Sequence, residues 1–374
     1  MILPDFGGLF LSRTPKMRFP VDKREKCDTI ELTINKVNWN IFNLFIAYIL
    51  NYTQVFKFFN SQYLKIRFSD ILTRSTKIDR LTGQNKGVFP MEQHFQYGVA
   101  CALEEVPASW PINLRGSIDY LTQTASQLGY DALELQLCNP QNYDWKQLRQ
   151  TAEQHGLRFC ADATGRELIE NGLSLISADP GVRRAAIDRL KLHADMCSEL
   201  GCLLIEGSMR SSIPDETHAA QCMDWLCQAT EELTAYAAAR GVEVVIENIT
   251  ASISNYLNTM REVTDFVRRF SCKNLGVHLD TYSMIEEETD IAGAVRYCAP
   301  ELRYVHFSDT SRFFVGGGNV DFRSHMHALR EVGYTGVIAV ECRPYPDAYT
   351  GAEHCIRYMR AMETIVDIER SNFR

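Results

Sequence analysis

The sequence predicts an α/β protein: a single (β/α)8 (TIM) barrel over residues 91–374, preceded by a poorly structured N-terminal extension over residues 1–90. Three observations predict it. From Gln96 onward, eight short apolar segments alternate with stretches that carry apolar residues at helical spacing. The 284 residues that follow position 90 are close to the roughly 250 of a typical single barrel, and a chain of that size can bury a large core. Finally, Glu247, Asp280, His306 and Glu341 each close one of the last four apolar segments, at the strand ends where such a barrel keeps its chemistry.

In chain order the strand candidates are 97–102, 132–137, 158–161, 203–206, 243–247, 276–280, 304–307 and 337–341. Each is a short apolar run, below the length of an ordinary helix. Between them, segments such as 179–200 and 216–240 place apolar residues at i, i+3 and i+4 and run into Gly201 and Gly241, the expected helix stops. Repeated strand–helix alternation without a strand-only block predicts a parallel sheet, and eight units favour closure over an open doubly wound sheet. No GxGxxG opens a helix after the first strand, which argues against a dinucleotide site. The run Gly316-Gly317-Gly318 follows strand seven instead. Loops there often bind phosphate or a polar substrate; with no Walker lysine following, a loop that needs positive φ is an equal reading.

The charge divides the chain. Residues 1–90 hold 14 Lys and Arg against 7 Asp and Glu, which leaves 25 against 40, or −15, for residues 91–374. That balance opposes a nucleic-acid partner for the barrel, and the basic residues of the first part are dispersed. The first part contains one alanine, Ala47, and shows no apolar period that assigns it a fold. Its charge-free stretch 37–56 has the length of a membrane span, but Asn38, Asn40, Asn43, Asn51 and Gln54 would each need a partner inside lipid. No membrane anchor is expected, and the start lacks the basic region and cleavage site of a secretory signal. Two readings of this extension stand side by side. It is a genuine, poorly ordered segment, or it is upstream sequence read as protein, with Met91 the true start. The second rests on its Phe, Asn, Ile, Lys and Tyr richness, which AT-rich codons produce, and on Lys86-Gly87-Val88, which a purine-rich ribosome-binding tract would encode. Eleven of the 12 cysteines lie after Met91 with no CxxC pair. Their scatter predicts reduced thiols in a cytoplasmic protein.

Three carboxylates and one imidazole at neighbouring strand ends supply hard oxygen ligands plus one nitrogen. The set suits one divalent metal ion, Mn²⁺ first or Mg²⁺, with Co²⁺ or Zn²⁺ as further candidates. Singly, each residue has a bland reading as a helix cap, a packed histidine or a surface ion pair; four at consecutive strand ends shift the balance to a metal site. A cation flanked by two glutamates suits proton abstraction beside a carbonyl, with a stabilised enediolate and Glu247 and Glu341 as the acid/base pair.

The segments IENITASISNYLNT, GVHLDTYSM, VHFSDTSR and VIAVEC resemble the xylose isomerase-like TIM barrel superfamily, and within it the ketose 3-epimerase and sugar phosphate isomerase/epimerase branch. The separations of 33, 26 and 35 residues between positions 247, 280, 306 and 341 match that branch's metal ligands. The resemblance implies that Glu247, Asp280, His306 and Glu341 bind the metal, that Glu247 and Glu341 double as catalytic acid and base, that Arg312 holds substrate oxygens, and that the barrels pair as a homo-oligomer. Two positions depart from the branch: Ile253 stands where it usually carries a glutamate, and Ser283 where it carries a histidine, both contacting the sugar. The expected substrate is therefore a ketose or another keto-sugar, epimerised or isomerised, with β-elimination of a keto-glycoside by a lyase as the alternative.

Other residues have weaker claims. His278 shares the interior face of Asp280 by strand alternation and is expected to act as an extra base, to touch substrate or to back a ligand. Glu206 is placed to reach substrate or to pair with Arg210, with Glu134 and Asp162 as fainter versions of the same idea. Trp110 and Tyr282 offer sugar-stacking faces, and Asp309 is expected to orient His306 or pair with Arg312. Two rivals of other classes are an endonuclease IV-like DNA repair enzyme and a sugar-binding barrel without activity. The negative barrel opposes the first. Three converging carboxylates with no cation to offset their repulsion oppose the second.

Overall fold

The computed structural model describes residues 94–372; the stretch 37–56 and both readings of residues 1–90 lie outside them. Eight parallel strands form one sheet: β1 (Gln96–Ala102), β2 (Ala132–Leu135), β3 (Arg158–Ala163), β4 (Leu203–Glu206), β5 (Val244–Glu247), β6 (Leu275–Asp280), β7 (Leu302–Phe307) and β8 (Val337–Val340). Each pairs with the next, and β8 pairs back onto β1, with Gln96 opposite Val337 and Val99 opposite Val340. The barrel is closed, which removes the free edges of its eight strands. A two-residue strand, Leu114–Arg115, pairs in parallel alongside the end of β1, with Leu114 opposite Cys101.

Ten helices surround it: α1 (Ile118–Leu128), α2 (Trp145–Gln154), α3 (Gly165–Asn171), α4 (Pro180–Leu200), α5 (Ala219–Ala238), α6 (Met260–Val267), α7 (Thr281–Glu287), α8 (Ile291–Cys298), α9 (Phe322–Glu331) and α10 (Ala348–Asn372). Local chemistry sets their ends. Asp179 caps α4 ahead of Pro180, and Gly201 ends it at φ 69°. Thr259 and Glu262 close a reciprocal capping box on α6.

Strand alternation sorts the side chains. Leu133, Leu204, Val244, Ile246, Val277, Leu279, Val305, Phe307, Ile338 and Val340 face the helices, whereas Ala132, Cys160, Ile205, Val245, Tyr304, Val337 and Ala339 fill the interior. Space inside is tight: a Cβ on Gly98 would lie 3.1 Å from each of Ala339, Cys160 and Val337. Two register shifts break the ladder, between Leu133 and Glu134 and between Val277 and His278. Such irregularities re-aim side chains next to functional sites, and both precede interior polar residues.

Strand boundaries differ from expectation in instructive ways. β3 runs two residues past position 161 because Asp162, which interrupts the apolar run, is matched by a buried histidine. β7 begins at Leu302, two residues before expectation, a start that the partly exposed Arg303 hides in the sequence. β8 stops at Val340, but the Glu341 N–H still donates to the Phe307 carbonyl at 3.2 Å, so Glu341 keeps its interior direction.

The match for Asp162 is His193 on α4, whose Nδ1 lies 2.6 Å from Asp162 Oδ2 and Nε2 3.1 Å from Glu167 Oε1. Arg189 donates to both oxygens of Glu167. The network ties β3, α3 and α4 together outside the barrel, and it takes Asp162 away from any substrate. Burial disfavours the His193 imidazolium, but Asp162 and Glu167 outweigh it and raise its pKa to about 9. An unfolded histidine releases its proton near ~6.5. Stability from this group is therefore complete below that pH and is lost as the pH rises through about 9, at up to about 1.4 kcal/mol per pH unit. A thermal-melt series should show Tm falling across this interval, and His193→Gln should flatten that part of the profile. Equal slopes in both proteins would contradict the assignment.

Candidate active site

The C-terminal ends of β5 to β8 bring Glu247, Asp280, His306 and Glu341 together, with one ligand-type atom of each within 4.8 Å of the others. Alternation explains why. Ile246, Leu279, Val305 and Val340 are packed outward against the helices, so the next residue on each strand points inward. Glu247, His306 and Glu341 line a cleft of about 290 Å³, along with Gln136, Arg312, Tyr282 and Trp110. A second cavity, about 310 Å³, lies at the opposite end among Arg158, Arg240, Glu243 and Arg303 and contains none of the four. The chemistry belongs to the first.

A hydrogen-bonded layer beneath the four residues holds them. His306 Nε2 is bonded to Glu134 Oε2, which also accepts from Tyr304 Oη at 2.8 Å. Gln136 donates from Nε2 to Glu134 Oε1 at 3.0 Å and to Glu341 Oε1 at 2.8 Å. Asp280 is fixed through its own N–H, which donates to Asn248 Oδ1 at 2.7 Å, and its Oδ1 caps α7 by accepting from Tyr282 N at 2.9 Å. Arg312 crosses the top. Its Nη1 donates to Glu341 Oε2 at 2.6 Å, its Nη2 forms an ion pair with Asp280 Oδ2 at 2.7 Å, and its guanidinium lies 4.3 Å from the centre of the Tyr282 ring. To reach there, Ser311 and Arg312 take positive φ, 60° and 56°, a strained geometry typical of functional segments.

Charge crowding shows in the proton affinities. Burial, then the neighbouring Glu341 and Asp280 carboxylates, push Glu247 up to about 8. Burial opposes a charged His306, but Glu134 and then Glu341 hold its pKa up at about 10. Glu247 accepts no hydrogen bond among the described residues. His306 Nδ1 is buried without a hydrogen-bond partner, 3.7 Å from Glu341 Oε2. Three carboxylates and a free imidazole nitrogen, backed by a carboxylate on the other ring nitrogen, fit one hard divalent cation.

The remaining expectations divide. His278 is buried beside His306, ring centres 4.1 Å apart, and neither of its nitrogens has a hydrogen-bond partner. Burial and then His306 hold its pKa well below the usual range, and it is not among the residues that line the cleft. Glu206 is corrected outright. Ile205 takes the interior position on β4, so Glu206 faces α5 against Thr230, 3.4 Å from each carboxylate oxygen, and forms no ion pair with Arg210. Asp309 neither orients His306 nor pairs with Arg312. Its Oδ2 accepts the N–H groups of Gly316 and Gly318 at 3.0 and 2.9 Å, which leaves those amides unavailable to phosphate; Gly316 has φ 86°. Ser283 is buried, and its hydroxyl accepts the Thr250 N–H at 3.1 Å. Ile253 stands 53% exposed at the cleft. Gln136 and Asn248 escaped the sequence reading. The alternation Glu134-Leu135-Gln136 in an otherwise apolar strand was the signal for Gln136.

A family profile described as xylose isomerase-like TIM barrel matches residues 122–362. The chain is 30% identical over 228 residues to a ketose 3-epimerase of Arthrobacter globiformis, covering 60% of this chain and 77% of that protein. It is 27% identical over 222 residues to an L-ribulose 3-epimerase of Methylomonas, covering 58% and 75%. Among solved structures, an L-ribulose 3-epimerase superposes with a TM-score of 0.66 at 21% identity over 75% of this chain and 98% of the other. Closed barrel, matching profile and epimerase relatives together make this chain a member of the xylose isomerase-like TIM barrel family, in its ketose 3-epimerase-like branch.

Proposed function

We propose that the protein is a sugar epimerase or isomerase that depends on one divalent ion, Mn²⁺ in the first instance, and moves a proton on a carbon beside the carbonyl of a ketose or keto-sugar. The epimerase relatives support the isomerase class. The observation that carries the chemistry is the pair Glu247 and Glu341, two carboxylates that line one cleft within 4.8 Å of Asp280 and His306. When bound, the cation supplies polarisation of the substrate carbonyl and offsets the charge that develops beside it.

The two glutamates are held differently. Glu341 is fixed on both oxygens, by Gln136 and by Arg312. Glu247 accepts no hydrogen bond among the described residues and is free to take a proton from carbon, while Glu341 returns one. Arg312, stacked on Tyr282, presents a planar guanidinium to substrate oxygens in the same cleft. Room for Glu247 comes from Gly207 at the end of β4, where a Cβ would sit 2.5 Å from Glu247 Oε2.

Incubation with candidate keto-sugars and Mn²⁺ in D₂O should place deuterium on the carbon beside the carbonyl, read by NMR. Glu247→Gln should slow that exchange by about 10²–10⁴-fold with little change in the melting temperature of the metal-free protein; full exchange in the variant would refute the assignment. Chelation of the metal should lower Tm, since an ion at a hundredfold its Kd contributes about 2.7 kcal/mol to the folded state. Unchanged melting after chelation would remove the metal from the proposal. Gly207→Ala should weaken Mn²⁺ binding about 10–100-fold by displacing one ligand, measured by calorimetry on metal-free protein. Unaltered affinity would show that Gly207 does not set the position of Glu247 toward the ion.

A further inference from the structure

The cleft that holds the four residues is polar at its floor and apolar at its mouth. Glu247, His306, Glu341, Arg312 and Gln136 form the floor. At the mouth, three βα connections each contribute a large apolar side chain: Trp110 after β1, Ile169 on α3 after β3, and Ile253 after β5. Ile169 is 64% exposed and Ile253 53%, unusual for isoleucines that share one concave site, because exposed apolar surface gathered in a cleft marks a place that something covers. No polar group answers from position 253, and Ser283 is turned away into its bond with Thr250.

The charged groups at the mouth do not make an anion site. Arg166 lies 5.6 Å from the centre of the Trp110 ring, but its Nε is bonded to Glu170 at 2.6 Å, its Nη2 to Glu104 at 2.7 Å and its Nη1 to the Gln136 carbonyl at 3.0 Å. Arg312 has its charge offset by Asp280 and Glu341, which leaves N–H groups for neutral sugar oxygens but no free positive charge for an anion. The exposed Arg343 stands alone among the arginines of this cleft, and a phosphate is ordinarily held by several donors.

We propose that the mouth is a subsite for an apolar or aryl substituent, and that the substrate is a keto-sugar glycoside with a hydrophobic aglycone, not a free ketose or a sugar phosphate. This rests on the proton-transfer reading of the floor: the oxidised sugar ring lies over Glu247 and Glu341, and the aglycone extends between Trp110, Ile169 and Ile253. A free ketose has nothing to place against two exposed isoleucines. An aryl group removes their surface from water and leaves no hydroxyl without a partner.

The test separates binding from turnover. Calorimetry on the Mn²⁺-loaded full-length protein compares 4-nitrophenyl glucoside with methyl glucoside. The aryl compound is expected to bind at least tenfold tighter, and that ratio should collapse toward one in the double variant Ile169→Ser, Ile253→Ser, whose exposed positions carry little of the fold. Equal affinity for the two glycosides, or an aryl preference that survives in the double variant, overturns the subsite. So does tighter binding of fructose 6-phosphate than of the aryl glucoside. A changed oligomeric state in the double variant without a changed aryl ratio would assign the patch to a subunit contact, and also overturns it. In parallel, deuterium exchange is measured with the keto forms of both glucosides and with fructose. An aryl binding preference without exchange in any keto-sugar sinks the proton-transfer reading and leaves the subsite. Exchange that favours fructose sinks the subsite's role and leaves the chemistry.

Discussion

The centre of this protein is a concentration of negative charge that the barrel must hold in place. Glu134, Glu247, Asp280 and Glu341 all point into one end of a closed sheet, and three of them bring oxygens within 4.8 Å of each other and of His306. Buried like charges at that distance favour protonation or dispersal. Three things oppose dispersal: the closed strand ladder, the His306 ring bonded to Glu134, and Arg312 spread across Asp280 and Glu341. A divalent cation would offset Glu247, Asp280 and Glu341 at once, including Glu247, which has no protein donor among the described residues.

The supporting layer matters as much as the ligands. Glu134 sets which nitrogen of His306 faces the centre, and Gln136 couples that carboxylate to Glu341 two strands away around the closed barrel. These contacts span 172 and 205 residues of sequence, and a register shift on β2 sits directly before Glu134. Above the ligands, the strained turn at Ser311 and Arg312 is held by Asp309, which gathers the amides of Gly316, Gly318 and Val320. The glycine-rich loop is thus scaffolding for the arginine. Its donors are turned onto a carboxylate of the protein itself.

Much of this was legible in the sequence because β-strands alternate. A carboxylate or histidine that closes a run whose preceding residue packs outward must point inward, and four such residues on successive strands converge by topology alone. The same rule, misapplied by one position, put Glu206 in the cleft: LLIE has apolar residues on both faces, and nothing in it shows that Ile205 and not Glu206 takes the interior. Asp162 failed for the related reason that its partner, His193, lies on a helix 31 residues away. Asp309 and Gln136 act through cross-barrel or loop contacts that no local pattern encodes. Residues 1–90 carry no period to read, and they lie outside the described part of the chain.

The polar floor and the apolar mouth are consistent consequences of one requirement. Proton transfer at carbon gains from a site that excludes water, since charges interact more strongly there. The floor cannot provide that exclusion, because every group on it is charged or hydrogen-bonded. With isoleucines left 53% and 64% exposed at the rim of the cleft, the proposed ligand would supply part of the closure. A substrate that carries its own hydrophobic cover would dry the site as it binds, and would tighten the grip of Arg312 and the glutamates on the sugar at the moment when the proton moves.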